Sequence, residues 1–144
     1  MSVNTRYVEA SPDRVWATLA DGWLYPVWVV GASRMREVDH DWPGAGAKLH
    51  HSVGVWPLLI DDETEVLESV PEHVLRLRAK AWPVGAADVA IRLRASGAGT
   101  EVEIQEELAS GPGALVPSVL QDPVLAWRNV ETLRRLCYLA ERRV

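Results

Sequence analysis

The stretch HVLRLRAKAWPVGAADVAIRLRAS, residues 73–96, decides how the chain folds. Its first half alternates Leu75 and Leu77 with Arg76 and Arg78, and its second half repeats this alternation in VAIRLR. Successive side chains of a strand point to opposite faces of a sheet. With the turn residues PVGA in the middle, the stretch predicts a β-hairpin that has one buried face and one solvated face.

The same two-residue period continues on both sides of this hairpin, from about residue 33 to residue 109. Six segments carry it, and short runs containing Gly or Pro separate them: SRMREVDHDW, GAKLHHSVGVW, LLIDDETEVLES, HVLRLRAKAW, ADVAIRLRAS and TEVEIQEELA. A further alternating segment, SVNTRYVE, occupies residues 2–9. Together they predict a meander of seven antiparallel strands.

Two short helices are predicted between the first strand and the meander. In ASPDRVWATLAD, residues 10–21, Ser11 suits the N-cap and Pro12 suits the first helical position. The following GWLYPVWVVGAS predicts a shorter helix or turn, with Trp23 and Trp28 available for burial. The pair is expected to close one end of the sheet.

A long amphipathic helix is predicted for DPVLAWRNVETLRRLCYLAERRV, residues 122–144. A helical wheel groups its apolar residues into one stripe with Trp127 at the edge: Ala126, Val130, Leu133, Cys137, Ala140 and Val144. Such a stripe needs a sheet to cover it. The fold class is therefore α+β, a strongly curved seven-stranded antiparallel sheet around a long C-terminal helix, as a single domain over residues 1–144.

Composition limits the classes of partner and location. The formal net charge of -5, without a large basic cluster, argues against a nucleic-acid partner. No apolar run reaches the roughly 18 to 20 residues of a membrane span. The only cysteine is Cys137, and residues 1–13 lack the apolar core of a signal peptide, so a cytoplasmic protein is expected. Monomer and homodimer both remain open.

The chain resembles the START and plant-allergen (SRPBCC) superfamily, in particular its bacterial polyketide cyclase/dehydrase and lipid-transport-like branch. The resemblance rests on VEASPDRVWATLAD, on a Trp-rich turn, on GAGAKL and on the terminal WRNVETLRRLCYLAE helix. The matching positions near the start are Ala10, Pro12, Asp13, Val15, Trp16, Asp21, Gly22, Trp23 and Trp28. The resemblance implies a helix-grip fold with an apolar cavity for a lipid, sterol, polyketide or hormone, which some members cyclise or dehydrate.

The adjacent histidines His50 and His51 suggest a metal site at first sight, but neighbours on a regular strand face opposite ways. His51 shares the apolar parity and is expected to face inward. If the turn is centred at Trp56 and Pro57, the antiparallel register places Asp62 beside His51. A buried His–Asp pair provides a general base, anchors a polar ligand atom, or only satisfies itself.

Three further residues are candidate ligand contacts. Glu106 has the inward parity of its strand and could act as an acid or hold a ligand hydroxyl, unless a bulge near the strand end turns it away. Arg134 lies between the helix stripe and Trp127, where it would bind an inward carboxylate or an acidic ligand, or else extend along the rim. Trp127 is expected to line the cavity or to pack on the sheet.

No metal and no cofactor is expected from these residues. Neither a Cys-x-x-Cys nor a His-Glu-x-x-His spacing occurs, and GAGAK lacks the spacing of a phosphate-binding loop.

Three functions are compatible with the sequence. The first is binding of a hydrophobic or amphipathic, lipid- or polyketide-like small molecule in an internal cavity. The second is a polyketide cyclase or aromatase in which His51 is the base, Asp62 orients it, and Glu106 or Arg134 polarises an oxygen. The third is a protein-interaction module, which requires an exposed apolar patch.

Overall fold

The computed structural model of the chain describes residues 2–30, 32–53, 60–81 and 85–142. Its elements in chain order are β1 (Ser2–Val8), α1 (Pro12–Ala20), a 3-10 turn (Gly22–Leu24), α2 (Tyr25–Trp28), β2 (Ala32–Val38), β3 (Lys48–Val53), β4 (Ile60–Val70), β5 (Val74–Ala81), β6 (Gly85–Ser96), β7 (Gly99–Ser110), a second 3-10 turn (Pro112–Leu115) and α3 (Ser118–Arg142).

The strands form one seven-stranded antiparallel sheet in the order β1-β7-β6-β5-β4-β3-β2. Strands β2 to β7 are each paired with their neighbours in sequence, and β1 joins the sheet beside β7. The helix α3 packs on β1, β7 and the two short helices. The predicted helix-grip fold is confirmed. No helix of the described residues combines the length and apolar character that crossing a membrane requires.

The hairpin of residues 73–96 has the predicted alternation. Leu75 pairs with Ile91 in register and both are buried, whereas the arginines face the outer surface of the sheet. There Arg78 Nε lies 2.8 Å from Asp88 Oδ1, one of several ion pairs between neighbouring strands. The hairpin turn at residues 82–84 lies outside the described residues. One face of the sheet therefore supplies the core, and the other is a solvated surface with ion pairs between neighbouring strands.

The histidine doublet is divided between the two faces, as predicted. His51 is 2% exposed, whereas His50 is partly exposed and its Nε2 lies 3.2 Å from Asp39 Oδ1. The register pairs His51 with Asp62, which confirms the predicted strand pairing. The predicted turn centre at Trp56 and Pro57 lies outside the described residues.

The N-terminal helices match the prediction except at one tryptophan. Ser11 is the N-cap of α1, and its hydroxyl donates a hydrogen bond to Asp13 rather than capping the backbone. Trp28 is buried, but Trp23 is 58% exposed, so its predicted burial is wrong. The buried neighbour is Gly22, where an added Cβ would lie 2.8 Å from side-chain atoms of the sheet.

The stripe predicted for the long helix is right in its second half and wrong in its first half. Leu133, Cys137 and Ala140 are buried as expected, but Val130 is 54% exposed. Val144 lies outside the described residues. The buried face of α3 consists of Leu125, Asn129, Thr132, Leu133, Leu136, Cys137 and Ala140. Two polar residues, Asn129 and Thr132, lie on this face. A wheel that groups only apolar residues misses them, so the predicted stripe is rotated about the helix axis relative to the buried face.

Because the buried face differs from the predicted stripe, a set of apolar side chains of α3 is exposed. This exposed apolar face consists of Val119, Leu120, Val124, Trp127 and Val130. It occupies the first half of the helix, on the side opposite Leu125 and Asn129.

Candidate functional site

A cavity of about 300 Å³ lies between the inner face of the sheet, α2 and α3. Its apolar wall includes Trp28, Val29, Leu77, Val89, Ile91 and Ile104. A concave apolar pocket with a few polar groups is the usual form of a small-molecule site. The polar groups of its wall are therefore the features that determine what it can hold.

The first polar group is Glu106 on β7, whose predicted inward orientation the structure confirms. Glu106 follows the buried Val102 and Ile104 at two-residue spacing and is 2% exposed. The register with β6 is regular through Leu108, and the irregularity in this pairing lies beyond it, at Ala86 and Ala87. The bulge that the sequence left open as an alternative thus comes too late in the strand to turn Glu106 outward.

Arg128 of α3 is the partner of this buried carboxylate. Its Nη2 donates a hydrogen bond to Glu106 Oε2, and the Arg128 side chain is 36% exposed. A buried charge is tolerated when an opposite charge and hydrogen bonds compensate it. Glu106 Oε1 has no hydrogen-bond partner among the described residues, so half of the carboxylate is still able to accept a hydrogen bond.

Two hydrogen-bond donors of the cavity wall are also without a partner among the described residues. They are Asn129 Nδ2 on α3 and Trp28 Nε1 on α2, and both side chains are at least 95% buried. Buried polar groups nearly always have hydrogen-bond partners in folded proteins. The residues that line the cavity therefore include both an acceptor atom and donor atoms that the described residues leave unsatisfied.

The imidazole of His51, on β3, contacts Thr64 of β4 and Tyr25 of α2 on two sides. His51 Nε2 lies 2.8 Å from Thr64 Oγ1, and the same hydroxyl lies 3.1 Å from Tyr25 Oη. The ring of Tyr25 stacks on that of His51 with a centroid distance of 5.5 Å. The second ring nitrogen, Nδ1, has no partner among the described residues. His51 is thus fixed in orientation with one nitrogen still able to bond.

Burial controls the protonation of this pair of rings. Removal of His51 from water lowers its pKa below 6.5, and the negative charge of Asp62 opposes this effect without overcoming it. Burial also raises the pKa of Tyr25, which the hydrogen bond to Thr64 partly offsets. Both rings are uncharged at neutral pH.

The predicted role of Asp62 as the group that orients His51 does not match the geometry. Asp62 lies opposite His51 in the register, but its Oδ1 accepts a hydrogen bond of 2.9 Å from the backbone N–H of Glu63. The ring nitrogen Nε2 is held by Thr64, and Nδ1 has no partner among the described residues. Asp62 therefore acts on His51 through its charge, and Thr64 fixes the ring.

Trp127 and Arg134 lie outside the cavity, contrary to the expected positions. Trp127 is 69% exposed. Arg134 is exposed, and its guanidinium donates two hydrogen bonds of 2.9 and 2.8 Å to Glu131, whose pKa falls to about 2 because Arg134 and Arg135 both bind it. The reason is that the buried face of α3 differs from the predicted stripe. Arg128 and Asn129 therefore line the cavity, and Trp127 and Arg134 do not.

Five residues of the site are absent from the sequence-based candidates: Tyr25, Thr64, Arg128, Asn129 and Thr132. The signal for Thr64 is its parity, because it shares the inward side of β4 with the buried Val66. For α3 the signal is the spacing of Asn129 and Thr132 between Leu125 and Leu136, which places polar groups on one helical face with buried leucines.

Among the residues that the structure describes, no group of three or more His, Cys, Asp or Glu side chains is arranged to hold a metal ion.

Comparison with known proteins gives a family for the chain. A family model described as polyketide cyclase / dehydrase and lipid transport matches residues 2–137. No curated protein is significantly similar to the chain in sequence.

Solved structures share the fold at low sequence identity. Protein NE0264 from Nitrosomonas europaea superposes with a TM-score of 0.73 at 18% identity, covering 97% of this chain and 93% of that one. Ara h 8.0201 gives a TM-score of 0.71 at 12% identity and 95% coverage of both chains. StfQ, a di-domain ARO/CYC from the steffimycin biosynthetic pathway, superposes with a TM-score of 0.72 at 12% identity. The superposition covers 96% of this chain but 49% of the StfQ chain. At these identities the similarity concerns the fold.

Proposed function

Since the chain belongs to the polyketide cyclase/dehydrase and lipid transport family, we propose that it binds a hydrophobic or amphipathic small molecule in the cavity between the sheet and α3. One observation carries the proposal. Four residues that line the cavity each carry a buried polar atom without a partner among the described residues: Trp28 Nε1, His51 Nδ1, Glu106 Oε1 and Asn129 Nδ2.

These atoms favour a ligand over simple core packing. Each buried polar atom that stays unsatisfied costs about 1 to 3 kcal/mol, so a core without a binding role would normally avoid grouping them around one space. A mainly apolar ligand removes its own apolar surface from water in the cavity, and its polar substituents would give these side chains partners if they turn toward it.

Native mass spectrometry of freshly purified protein tests the proposal, because a ligand made by the host cell stays in the cavity during gentle purification. We expect an adduct that denaturation releases. The variant Ala87→Leu, which places a larger side chain on the cavity wall, should lose the adduct. The matched control is Ala90→Leu, on the outer face of the same strand.

Retention of the same adduct by Ala87→Leu would overturn the location of the site. A repeated absence of any adduct, together with failure of small aromatic probes to bind the purified protein, would overturn the binding function itself.

A second function, a cyclase or dehydrase, is favoured by one specific observation: His51 lines the cavity, is held neutral by burial and keeps Nδ1 unpartnered among the described residues. A neutral imidazole is able to accept a proton from a bound substrate. Asp62 supports the charge that would form on the ring, and Glu106 would hold a ligand oxygen. The proton taken by His51 would be delivered to the leaving hydroxyl, so that one water forms. The adduct recovered from His51→Ala should therefore lose one water when it is incubated with wild-type protein, and it should stay unchanged with fresh His51→Ala.

The third hypothesis, a protein-interaction module, receives less support. The exposed apolar face of α3 supplies the surface that such a module needs. Its apolar chemistry does not indicate a foreign protein as the partner, so ligand binding remains the proposal.

A further inference from the structure

We propose that the exposed apolar face of α3 binds the same face of a second copy of the chain, with the two helices antiparallel and Trp127 at the two-fold axis. This interface is independent of the ligand, because the face lies on the side of α3 opposite Leu125 and Asn129. Four features support it: the composition of the face, its area, a groove further along the same helix, and the pairing of the nearby charges.

The first half of α3 exposes apolar side chains where a surface helix normally exposes polar ones. Every residue from 119 to 130 that is exposed is apolar: Val119, Leu120, Pro123, Val124, Trp127 and Val130. Polar residues of the same segment, such as Gln121 and Asn129, are partly or fully buried. A helix that is apolar on every side is normally covered on every side. The face therefore has the composition of an interface.

The area of this surface is sufficient for a dimer. Leu115 and Val116, just before α3, extend the face and are 86% and 41% exposed. Together with the face they expose roughly 800 Å², which is the area that each partner contributes to an interface of standard size. The largest apolar patch on an ordinary monomer is only about 300 to 600 Å². A single copy therefore leaves an unusually large apolar surface in water.

A groove beside the second half of α3 can receive apolar side chains. Its volume is about 270 Å³, and residues of α2 and α3 line it: Val27, Arg134, Arg135, Tyr138 and Leu139. Arg134 lies seven residues after Trp127, and Leu120 lies seven residues before it. Arg135 and Val119 each lie eight residues from Trp127, on either side. Two antiparallel helices that cross at Trp127 therefore place Leu120 and Val119 of each copy at the groove of the other.

The same arrangement is self-complementary, as the two-fold symmetry of a homodimer requires. Val124 lies three residues before Trp127 and Val130 lies three residues after it, so these valines meet across the axis. The groove contact then occurs twice, once on each side. Neither a lipid surface nor a foreign protein accounts for this equal spacing about Trp127.

The charges beside the face do not oppose the association of two copies. Arg134 and Arg135 lie 2.8 and 3.0 Å from Glu131, so the groove arginines are neutralised within each chain. Arg128 is paired with Glu106 in the same way. A membrane surface fits less well, because helices that lie on anionic lipids are rich in Lys and Arg, whereas this chain has a formal net charge of -5.

Sedimentation analysis of the full chain over a concentration series tests the proposal. We expect a dimer at about 100 μM protein, since interfaces of this size bind with micromolar or higher affinity. Dilution should release folded monomers, because each copy completes its own core. Unfolding measured at low protein concentration then concerns the monomer.

One substitution at two exposed tryptophans locates the interface. Trp127→Glu should leave a folded monomer at every concentration, since it places two like charges against each other at the axis. The matched control is Trp23→Glu, which lies in a separate depression beside Asp39 and is 58% exposed against 69% for Trp127. This control should dimerise like wild type. Circular dichroism checks that both variants are folded.

Disulfide trapping tests the position of the axis. Trp127→Cys should give a disulfide-linked dimer under mild oxidation, because the axis places this residue next to its own copy. The control Tyr138→Cys is also exposed, but its two copies are about 33 Å apart in the antiparallel dimer and should stay unlinked. The only native cysteine, Cys137, is buried and stays in place.

Several results would overturn the proposal. One is a wild-type chain that stays monomeric at about 100 μM, whether or not it binds phosphatidylcholine vesicles, which would assign the face to a membrane surface. Others are a dimeric Trp127→Glu variant, or an equal loss of the dimer in Trp23→Glu. Linkage of Tyr138→Cys without linkage of Trp127→Cys would contradict the antiparallel arrangement. None of these results changes the outcome expected for the ligand in the cavity.

Discussion

Glu106 on β7 and Arg128 on α3 form an ion pair that ties the sheet to the long helix beside the cavity. The Glu106 side chain is 2% exposed and the Arg128 side chain 36% exposed, so the pair runs from the interior toward the surface. One carboxylate oxygen is satisfied by Arg128, and the other has no partner among the described residues. The pair therefore stabilises the packing of α3 on the sheet, and it also places two charged residues in the lining of the cavity.

Arg128→Leu should destabilise the protein by about 2 to 3 kcal/mol, because it leaves a buried carboxylate without its counter-charge. The loss stays below that of a fully buried pair since the Arg128 side chain is partly exposed to water. Urea denaturation followed by tryptophan fluorescence measures it. The control Arg94→Leu breaks the exposed pair with Glu101 and should cost less than about 1 kcal/mol. Equal losses in the two variants would mean that Glu106 does not depend on Arg128.

Thr64→Val should destabilise the protein by about 1 to 3 kcal/mol, because it keeps the shape of the side chain but removes the hydroxyl that contacts His51 and Tyr25. Thr5→Val makes the same change on the exposed side of β1 and should stay within about 0.5 kcal/mol of wild type. A Thr64→Val variant as stable as the Thr5→Val control would contradict the hydrogen-bonded chain.

His51 should titrate below pH 6.5 in an NMR experiment on its ring protons, because burial disfavours the charged imidazole. Asp62→Asn should lower the midpoint further, since it removes a charge that favours protonation. An unchanged midpoint in Asp62→Asn would show that Asp62 has no influence on the ring.

The lowered pKa of His51 also predicts the direction of the pH dependence of stability. The unfolded chain takes up a proton on His51 near pH 6.5, whereas the folded chain does so only at lower pH. The free energy of unfolding should therefore fall as the pH drops below 6.5, until the pH passes the folded pKa. His51→Gln should show a smaller fall over this range in urea denaturation, and an identical slope would contradict the assignment.

The sheet and its inward residues could be predicted from the sequence because strand parity is a strict rule. Residues such as Leu75, His51 and Glu106 follow it, and each faces the predicted side. The partner of His51 could not be predicted in the same way. Asp62 lies directly opposite, but Thr64, the diagonal neighbour two residues further along, is within reach of a long side chain and forms the bond.

The helix side of the site could not be predicted from apolar periodicity. Asn129 and Thr132 occupy the face of α3 that covers the cavity, where polar atoms are useful to a ligand but look like surface residues in the sequence. A helical wheel that ranks positions by apolarity therefore chose Val130 over Asn129. The error is a physical signature of a cavity: a helix covering a solid core would have carried apolar residues there.

The true burial face of α3 can be tested with one substitution at two positions in its first half. Leu125→Ala should cost about 2 to 4 kcal/mol, because Leu125 is 6% exposed, whereas Leu120→Ala should cost less than about 1 kcal/mol at 63% exposure. Thermal or urea unfolding measures the difference. A larger loss at Leu120 would contradict the burial face of α3 that the structure gives.

The indole N–H signals of Trp28 and Trp42 test the central claim, that the space between the sheet and α3 binds the ligand. Trp28 Nε1 lies in the cavity wall without a partner among the described residues. Trp42 Nε1 donates a hydrogen bond of 3.1 Å to the backbone oxygen of Leu19 and lies in a separate surface depression. In ¹⁵N-correlated NMR spectra, adding the small aromatic probe 2-naphthol should shift the Trp28 indole signal and leave that of Trp42 in place. A shift of Trp42 with Trp28 unmoved would contradict the account.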